Sequence, residues 1–394
     1  MGSAGAVVTG ASYRALAVVR SLGRHGIPVR VVRSDEHAVA TSSRYAGPRR
    51  QWPIEGGDAA RVGYLVELAE RDGLEGWVLI PTHDEEAALI ARNRDALAAR
   101  FRLTTPPWET LRWAYDKRRT YQLAARLGIA QPWTIFPAGR EDLEQAHGRF
   151  PVIIKPAYKA DANRLTVDKA WRVDDEAALA RRYEEACELL DPSIVMVQEH
   201  IPGDGATQLS YAVLCSDGEV LASLTARRMR QFPMDFGRAS SHVETIEDPG
   251  VERDARRLLA ATKLTGLVEA EFKRDARSGE NRLLDLNPRA WGWQSLCGRA
   301  GVDFPYLLWR MASGEPVPRV RAAPGVRWVR MTTDVLAVAG EVRAGRLSTR
   351  AYLRSLRRPL EFAVFARDDP LPSLAGPLAT VRLLGGRLVE GRPL

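Results

Sequence analysis

The sequence predicts an α/β and α+β protein of several domains, with a doubly wound parallel sheet first and hairpin-rich lobes after it. Three observations carry that expectation. Strand and helix patterns alternate from residue 5 to about residue 100. Pro106-Pro107 then interrupts the chain. Beyond it, strands with period-two alternation come in adjacent pairs. A chain of 394 residues is long enough for two to four domains with their own buried cores. The expected divisions are 1–105, 106–203, 204–315 and 316–394.

The first division opens with the short apolar strand Gly5–Gly10, a helix from Tyr13 to Leu22 and a second strand, Pro28–Val32. A helix over Arg61–Arg71, a strand over Gly76–Ile80 and a helix over Asp84–Ala99 follow. That rhythm builds parallel βαβ units. It is not a dinucleotide site of the usual kind, because Gly10-Ala-Ser-Tyr-Arg-Ala15 lacks the G-x-G-x-x-G fingerprint. The second division holds a helix over Asp116–Leu127, a strand over Pro151–Pro156, a helix over Asp174–Leu190 and a strand over Ile194–Gln198. The third reads as strands Ser210–Cys215 and Val220–Thr225, a polar loop through Ser241, a helix over Gly250–Thr262 and a final hairpin. Arg-rich helices with loops are expected after Pro316, with a breaker at Asp368-Asp-Pro-Leu-Pro372.

Composition narrows the function classes. With 45% apolar and 27% charged residues the chain is ordinary for a soluble globular protein, and no apolar run is long enough for a membrane span. The start lacks a charged-then-apolar leader, and Ala6 argues against myristoylation. Cys187, Cys215 and Cys297 are few and scattered, which suggests reduced thiols and a cytoplasmic protein. The net charge of +8 comes from Arg spread over the whole chain, with no basic tract interleaved with aromatics, so nucleic acid is not the expected partner. Only six of the 57 basic residues are Lys, so a Lys in an unusual setting stands out.

The chemistry concentrates in the final hairpin. Val268–Lys273 and Leu283–Arg289 alternate with period two, and Asp275–Asn281 between them reads as a turn. Asp285 and Asn287, two apart, share a face. A turn centred on Ser278 places Glu271 opposite Asp285 and Glu269 opposite Asn287. Three or four hard oxygen donors on one face repel unless a cation joins them, and hard oxygens favour magnesium that also takes phosphate. A solvated face with scattered charge is the alternative. Lys155 ends an apolar strand, where an ammonium wants an anionic partner such as phosphate, although a snorkelling Lys reads the same way. Lys117 follows Asp116 in the first turn of its helix, where the dipole disfavours cations.

Taken in order, Lys117, Lys155, Gln198-Glu-His-Ile-Pro-Gly203, Glu271-Phe-Lys273, Leu284-Asp-Leu-Asn-Pro-Arg289 and Trp291-Gly-Trp293 resemble the ATP-grasp superfamily. Within it the carboxylate–amine ligase branch with D-aspartate ligase-like enzymes is most similar. The resemblance covers about residues 5 to 315 and, more weakly, Asp368-Asp-Pro. It implies a Rossmann-like N-terminal (pre-ATP-grasp) domain, a two-lobed ATP-grasp domain and a C-terminal helical extension. It also implies ATP and two Mg²⁺ as cofactors. Lys117 and Lys155 would then meet the phosphates. The backbone of Gln198, Glu199, His200 and Ile201 would read adenine, and Glu199 or Asp204 would reach the ribose. Glu271, Asp285 and Asn287 would hold the metal. Arg289 would meet phosphate or substrate carboxylate, with Arg228 as a further triphosphate contact. The chain departs from the family at Tyr158–Leu165, which has no Gly, so closure there would fall to Lys159 or Arg164.

The implied reaction activates a carboxylate as an acyl phosphate and couples it to an amine, with ADP and phosphate released. Small-molecule acids and amines are the expected partners. Dimers are common in the family, which leaves a homodimer open. Gly237, Ser240, Ser241 and His242 are candidates for closing over substrate, and His242 or Glu244 for the base, unless those two form a satisfied polar pair. Asp84 and Glu85, beyond a strand end, are expected to cap the helix there, with amine recognition the alternative. Rival readings are a biotin-carboxylase-like or purine-biosynthesis-like ligase, a non-catalytic ATP-binding protein and, last, a nucleic-acid binder.

Overall fold

The computed structural model describes residues 4–33, 39–53, 55–158, 163–232, 239–357 and 359–374. Its first sheet is wholly parallel, with the strands in the order Arg50–Gln51, Val29–Arg33, Ala6–Thr9, Val78–Ile80 and Arg102–Leu103. Ala6–Thr9 and Val78–Ile80 are buried along their whole length, as strands covered on both faces must be. The chain runs outward from Ala6–Thr9 in one direction and from Val78–Ile80 in the other. The switch point therefore lies between these two neighbours. Gly10 turns the chain there at φ +85, where a Cβ would collide with Thr82 Oγ1. Only glycine fits both demands.

Two further sheets form the rest. Four short strands, in the order Thr134–Ile135, Val195–Glu199, Val152–Pro156 and Trp171–Val173, are covered by the helix Glu176–Leu189. Asp175 caps that helix by accepting from Ala178 N at 2.8 Å. The largest sheet runs Asn281–Asn287, Gly266–Arg274, Gln208–Ser216, Glu219–Phe232, Ala239–Ile246, Arg327–Val329 and Leu360–Phe362, with Val320–Arg321 beside Glu219–Phe232. The helix Pro249–Thr262 packs on it through Val251, Ala255, Leu258 and Leu259. Pro249 at its first position and Asp248, accepting from Val251 N at 3.0 Å, start it. The other face of the sheet shares one core with the helix Tyr13–Arg24, and Trp291, Trp293, Phe304 and Trp328 fill the space between them. This shared core brings the switch-point crevice to the metal-type hairpin.

Several expectations change. The Asp84–Ala99 helix is two helices, Asp84–Arg92 and Arg94–Ala98, broken at Asn93. The strand expected over Val220–Thr225 runs from Glu219 to Phe232, so Arg228 lies within it. Ser240, Ser241 and His242 lie in the strand Ala239–Ile246 and not in a loop. Gly237 and Lys159 lie outside the described residues. The region after Pro316 contributes two helices, Met331–Arg343 and Thr349–Ser355, and also three short strands that extend the large sheet.

Candidate active site

Glu271 pairs with Asp285 and Glu269 with Asn287, as expected, but the turn is centred between Arg277 and Ser278, with Arg274 opposite Asn281, and the extra residue at the bulge supplies the remaining shift. A bulge follows at Glu271/Phe272. Asn287 Nδ2 donates to Glu271 Oε1 at 2.9 Å, and Gln208 Nε2 donates to Glu271 Oε2 at 2.9 Å. Arg228 approaches the same carboxylate at 3.5 Å and donates to Gln208 Oε1 at 2.8 Å and Gln231 Oε1 at 3.1 Å. Glu269 differs from the other three. It is buried, accepts from Trp293 Nε1 at 3.1 Å, and is pushed up to about 7 by burial and then by Glu271 beside it. Its carboxylate is turned to Trp293, while Glu271, Asp285 and Asn287 face Arg228, Lys117 and Arg289.

Both lysines come to this face. Lys117 Nζ lies 3.1 Å from Asp285 Oδ2, and its backbone N–H donates to Ala157 O at 3.0 Å, just past Lys155. Burial opposes the Lys117 charge, but Asp285 more than offsets it and the pKa is raised. Lys155 has no such contact among the described residues. Burial first and Lys117 second push it down to about 8. Asp116 holds the helix start by accepting from Arg118 N at 3.0 Å, which fixes where Lys117 emerges.

Tyr121, which sequence reasoning passed over, ties these parts together. Its hydroxyl donates to Leu284 O at 2.8 Å and accepts from Gln198 Nε2 at 3.0 Å, and its ring lies 6.0 Å from Lys155 Nζ. Its place one turn after Lys117 was the only available signal. Gln198 is buried and also donates to Thr134 Oγ1. The next residues depart from expectation. Glu199 N donates to Trp133 O and His200 N to Pro151 O, while the Glu199 carboxylate is held by Arg277 and by Arg282 at 2.7 Å. Ile201 is buried, and Asp204 caps the turn Gly205–Thr207.

Arg289 is buried and its charge strengthened. Burial opposes it, but Asp84 prevails, with Nε 2.9 Å from Oδ1 and a second bond at 3.1 Å to Oδ2. It also donates to Asn287 Oδ1 at 3.1 Å. The expectation that Asp84 caps its helix is corrected: His83 holds the cap position and Glu86 accepts from its N–H. Asp84, in the first turn of that helix, binds Arg289. Ser241 and His242 face elsewhere. Ser241 Oγ donates to Asp334 at 2.8 Å, and His242 Nε2 meets Ser355 O at 3.1 Å. Glu244 pairs with Arg327. They form a polar group against the C-terminal helices, in which the buried His242 Nδ1 has no hydrogen-bond partner among the described residues. Lys169, a second omission, sits in the cleft at φ +69, within the electrostatic reach of Arg228, Glu271, Arg14 and Arg289.

Two carboxylates and an amide on one face suit a cation that takes its remaining ligands from phosphate oxygens. Among the described residues no three His, Cys, Asp or Glu side chains gather into a cage, so this set is not a self-sufficient metal centre.

Residues 192–335, which include the hairpin and Arg228, match the family described as ATP-grasp in the biosynthetic pathway with Ter operon. No curated protein sequence matches the chain. Among solved structures, N5-carboxyaminoimidazole ribonucleotide synthetase (purK) in its ADP complex is 13% identical over 86% of this chain and 85% of that one, with a TM-score of 0.64. The biotin carboxylase domain of Hydrogenobacter thermophilus 2-oxoglutarate carboxylase, with MgADP and bicarbonate, is 16% identical over 82% and 73%, at 0.63. The L-amino acid ligase from Bacillus licheniformis is 14% identical over 78% and 73%, at 0.57. Residues 192–335 are thus similar to an ATP-grasp family, and most of the chain shares the fold of these solved structures.

Proposed function

We propose that this protein is an ATP- and Mg²⁺-dependent carboxylate–amine ligase that joins an amino acid or small peptide to an amine. The observation that carries the reading is the meeting of Lys117 and Lys155 with the Glu271, Asp285 and Asn287 oxygens across two lobes. Cations and oxygen ligands in one cleft are what a nucleoside triphosphate needs.

Glu271, Asp285 and Asn287 would hold the metal, which neutralises phosphate charge during transfer. Lys117 and Lys155 bind the phosphates. Burial that depresses the Lys155 ammonium makes an anionic neighbour favourable. A carboxylate oxygen attacks the γ-phosphorus, the bond to the ADP oxygen breaks, and an acyl phosphate forms. The amine then attacks the acyl carbon, phosphate leaves with its bonding electrons, and the amine gives up a proton. Arg289, held rigid by Asp84, offers a positioned cation to the transferring group. Three free thiols, two of them buried, accord with a cytoplasmic enzyme. No helix among the described residues is long and apolar enough to cross a membrane.

The test is ADP formation from MgATP with pooled amino acids, resolved to single pairs, with amide products identified by mass. Likeness to biotin carboxylase and purK folds supports one second reading, transfer to bicarbonate. ADP formation that needs bicarbonate and no amino acid would establish it and overturn the first.

A further inference from the structure

Resting on the ligase reading, we propose that the switch-point crevice of the first domain binds the carboxylate substrate, and that Arg14 grips the carboxylate that is to be phosphorylated. The crevice opens beyond the ends of Ala6–Thr9 and Val78–Ile80, where open parallel sheets leave room for ligands. One lip is Gly10 to Arg14 and the other is Thr82 to Asp84. Both touch the second lobe. Asp84 binds Arg289, and Tyr13 lies so close to Gly292 that a Cβ there would fall 2.9 Å from its hydroxyl. Arg330 stacks 4.3 Å over the Tyr13 ring. The crevice is thus continuous with the face that carries the oxygen donors.

Four cations converge on this junction, since Arg14, Arg228 and Arg289 all act on Lys169. Arg228 is engaged by Gln208, Gln231 and Glu271, and Arg289 by Asp84 and Asn287. Arg14 makes no hydrogen bond or ion pair among the described residues, and its buried Nε lacks an acceptor. Ser12 Oγ beside it also lacks a partner. So do both amide atoms of Gln294, which is 2% exposed and follows Trp293 in sequence. A buried donor without an acceptor is costly, and a carboxylate removes that cost through two parallel bonds to a guanidinium. The carboxylate oxygen then attacks the γ-phosphorus, and the electron pair of the broken bond leaves on ADP.

The test uses the full chain with MgATP, hydroxylamine as the amine, and each of the twenty common L-amino acids or succinate as the acid. An acyl phosphate is trapped as its hydroxamate, so the natural amine is not needed. Arg14→Met should raise KM for the active acid at least about tenfold, as loss of a charge-assisted bond implies, with KM for ATP within about twofold of the parent. Arg14→Lys should recover part of the loss. Thermal unfolding of each variant confirms that it folds. An unchanged acid KM overturns the assignment. A rise in the ATP constant without one in the acid constant also does, because it makes Arg14 a phosphate ligand. Hydroxamate from none of these acids, with nucleotide binding intact by calorimetry, overturns it too. Absence of nucleotide binding in the parent protein would instead sink the ligase reading.

Discussion

Two sets of charged contacts in this protein are built on opposite plans. At the C-terminal end, Asp369 is wholly buried and fully used. It accepts from Arg20 at 2.9 Å and Ser43 at 2.7 Å, and from Arg44 N at 2.9 Å. Asp334 is likewise buried, with two bonds from Arg230 at 2.8 Å and one from Ser241. In the cleft, Asp285 and Lys117 keep 26% and 18% side-chain exposure, Lys155 has no counter-ion in contact among the described residues, and the buried Nε of Arg14 lacks an acceptor there. Closed networks fasten domains. Open ones retain bonding capacity, which a substrate requires.

Mutations on the two sides should therefore separate stability from activity. The largest effect is expected from Asp369→Ala, which strands Arg20 in the interior and should cost about 3–5 kcal/mol in denaturant unfolding. Nucleotide affinity should fall only as far as folding does. Asp285→Ala reverses the pattern, with turnover down about 10²–10³-fold and less than about 1 kcal/mol lost from stability, because its ion pair is partly solvated. If Asp285→Ala unfolded the chain while Asp369→Ala only slowed it, the distinction would collapse. Tyr121→Phe removes the hydroxyl that joins Leu284 to Gln198 and should cost about 1–3 kcal/mol, with a raised KM for ATP.

The smallest effect concerns pH. Burial, then Arg230, pushes His242 down to about 4, against about 6.5 in an unfolded chain. Between those values the unfolded state binds the extra proton. The contribution of His242 is therefore complete above about pH 6.5 and is lost as pH falls toward 4. His242→Gln should flatten this acid limb in a series of thermal melts while leaving the plateau near neutrality. An unaltered limb would assign it to other groups.

The hairpin was legible because side-chain alternation marks both strands, but its turn is centred just before Ser278, and Glu271 comes opposite Asp285 through a bulge that no period displays. The two lysines stood out because the chain has so few. Arg14 and Lys169 were not legible, since their charged neighbours lie more than fifty positions away, and Tyr121 takes its setting from Lys155, Gln198 and Leu284, each on another element. The helix cap was misassigned because Glu86 serves it and Asp84 answers to Arg289, a partner that only tertiary packing reveals. Strands of two or three residues after Pro316 are too short to display a period, so that region read as helical.

The bond between Arg20 and Asp369 spans 349 positions of sequence. The helix Tyr13–Arg24 therefore depends on a segment far along the chain for the counter-charge of Arg20, and loss of that segment would leave a buried guanidinium without one.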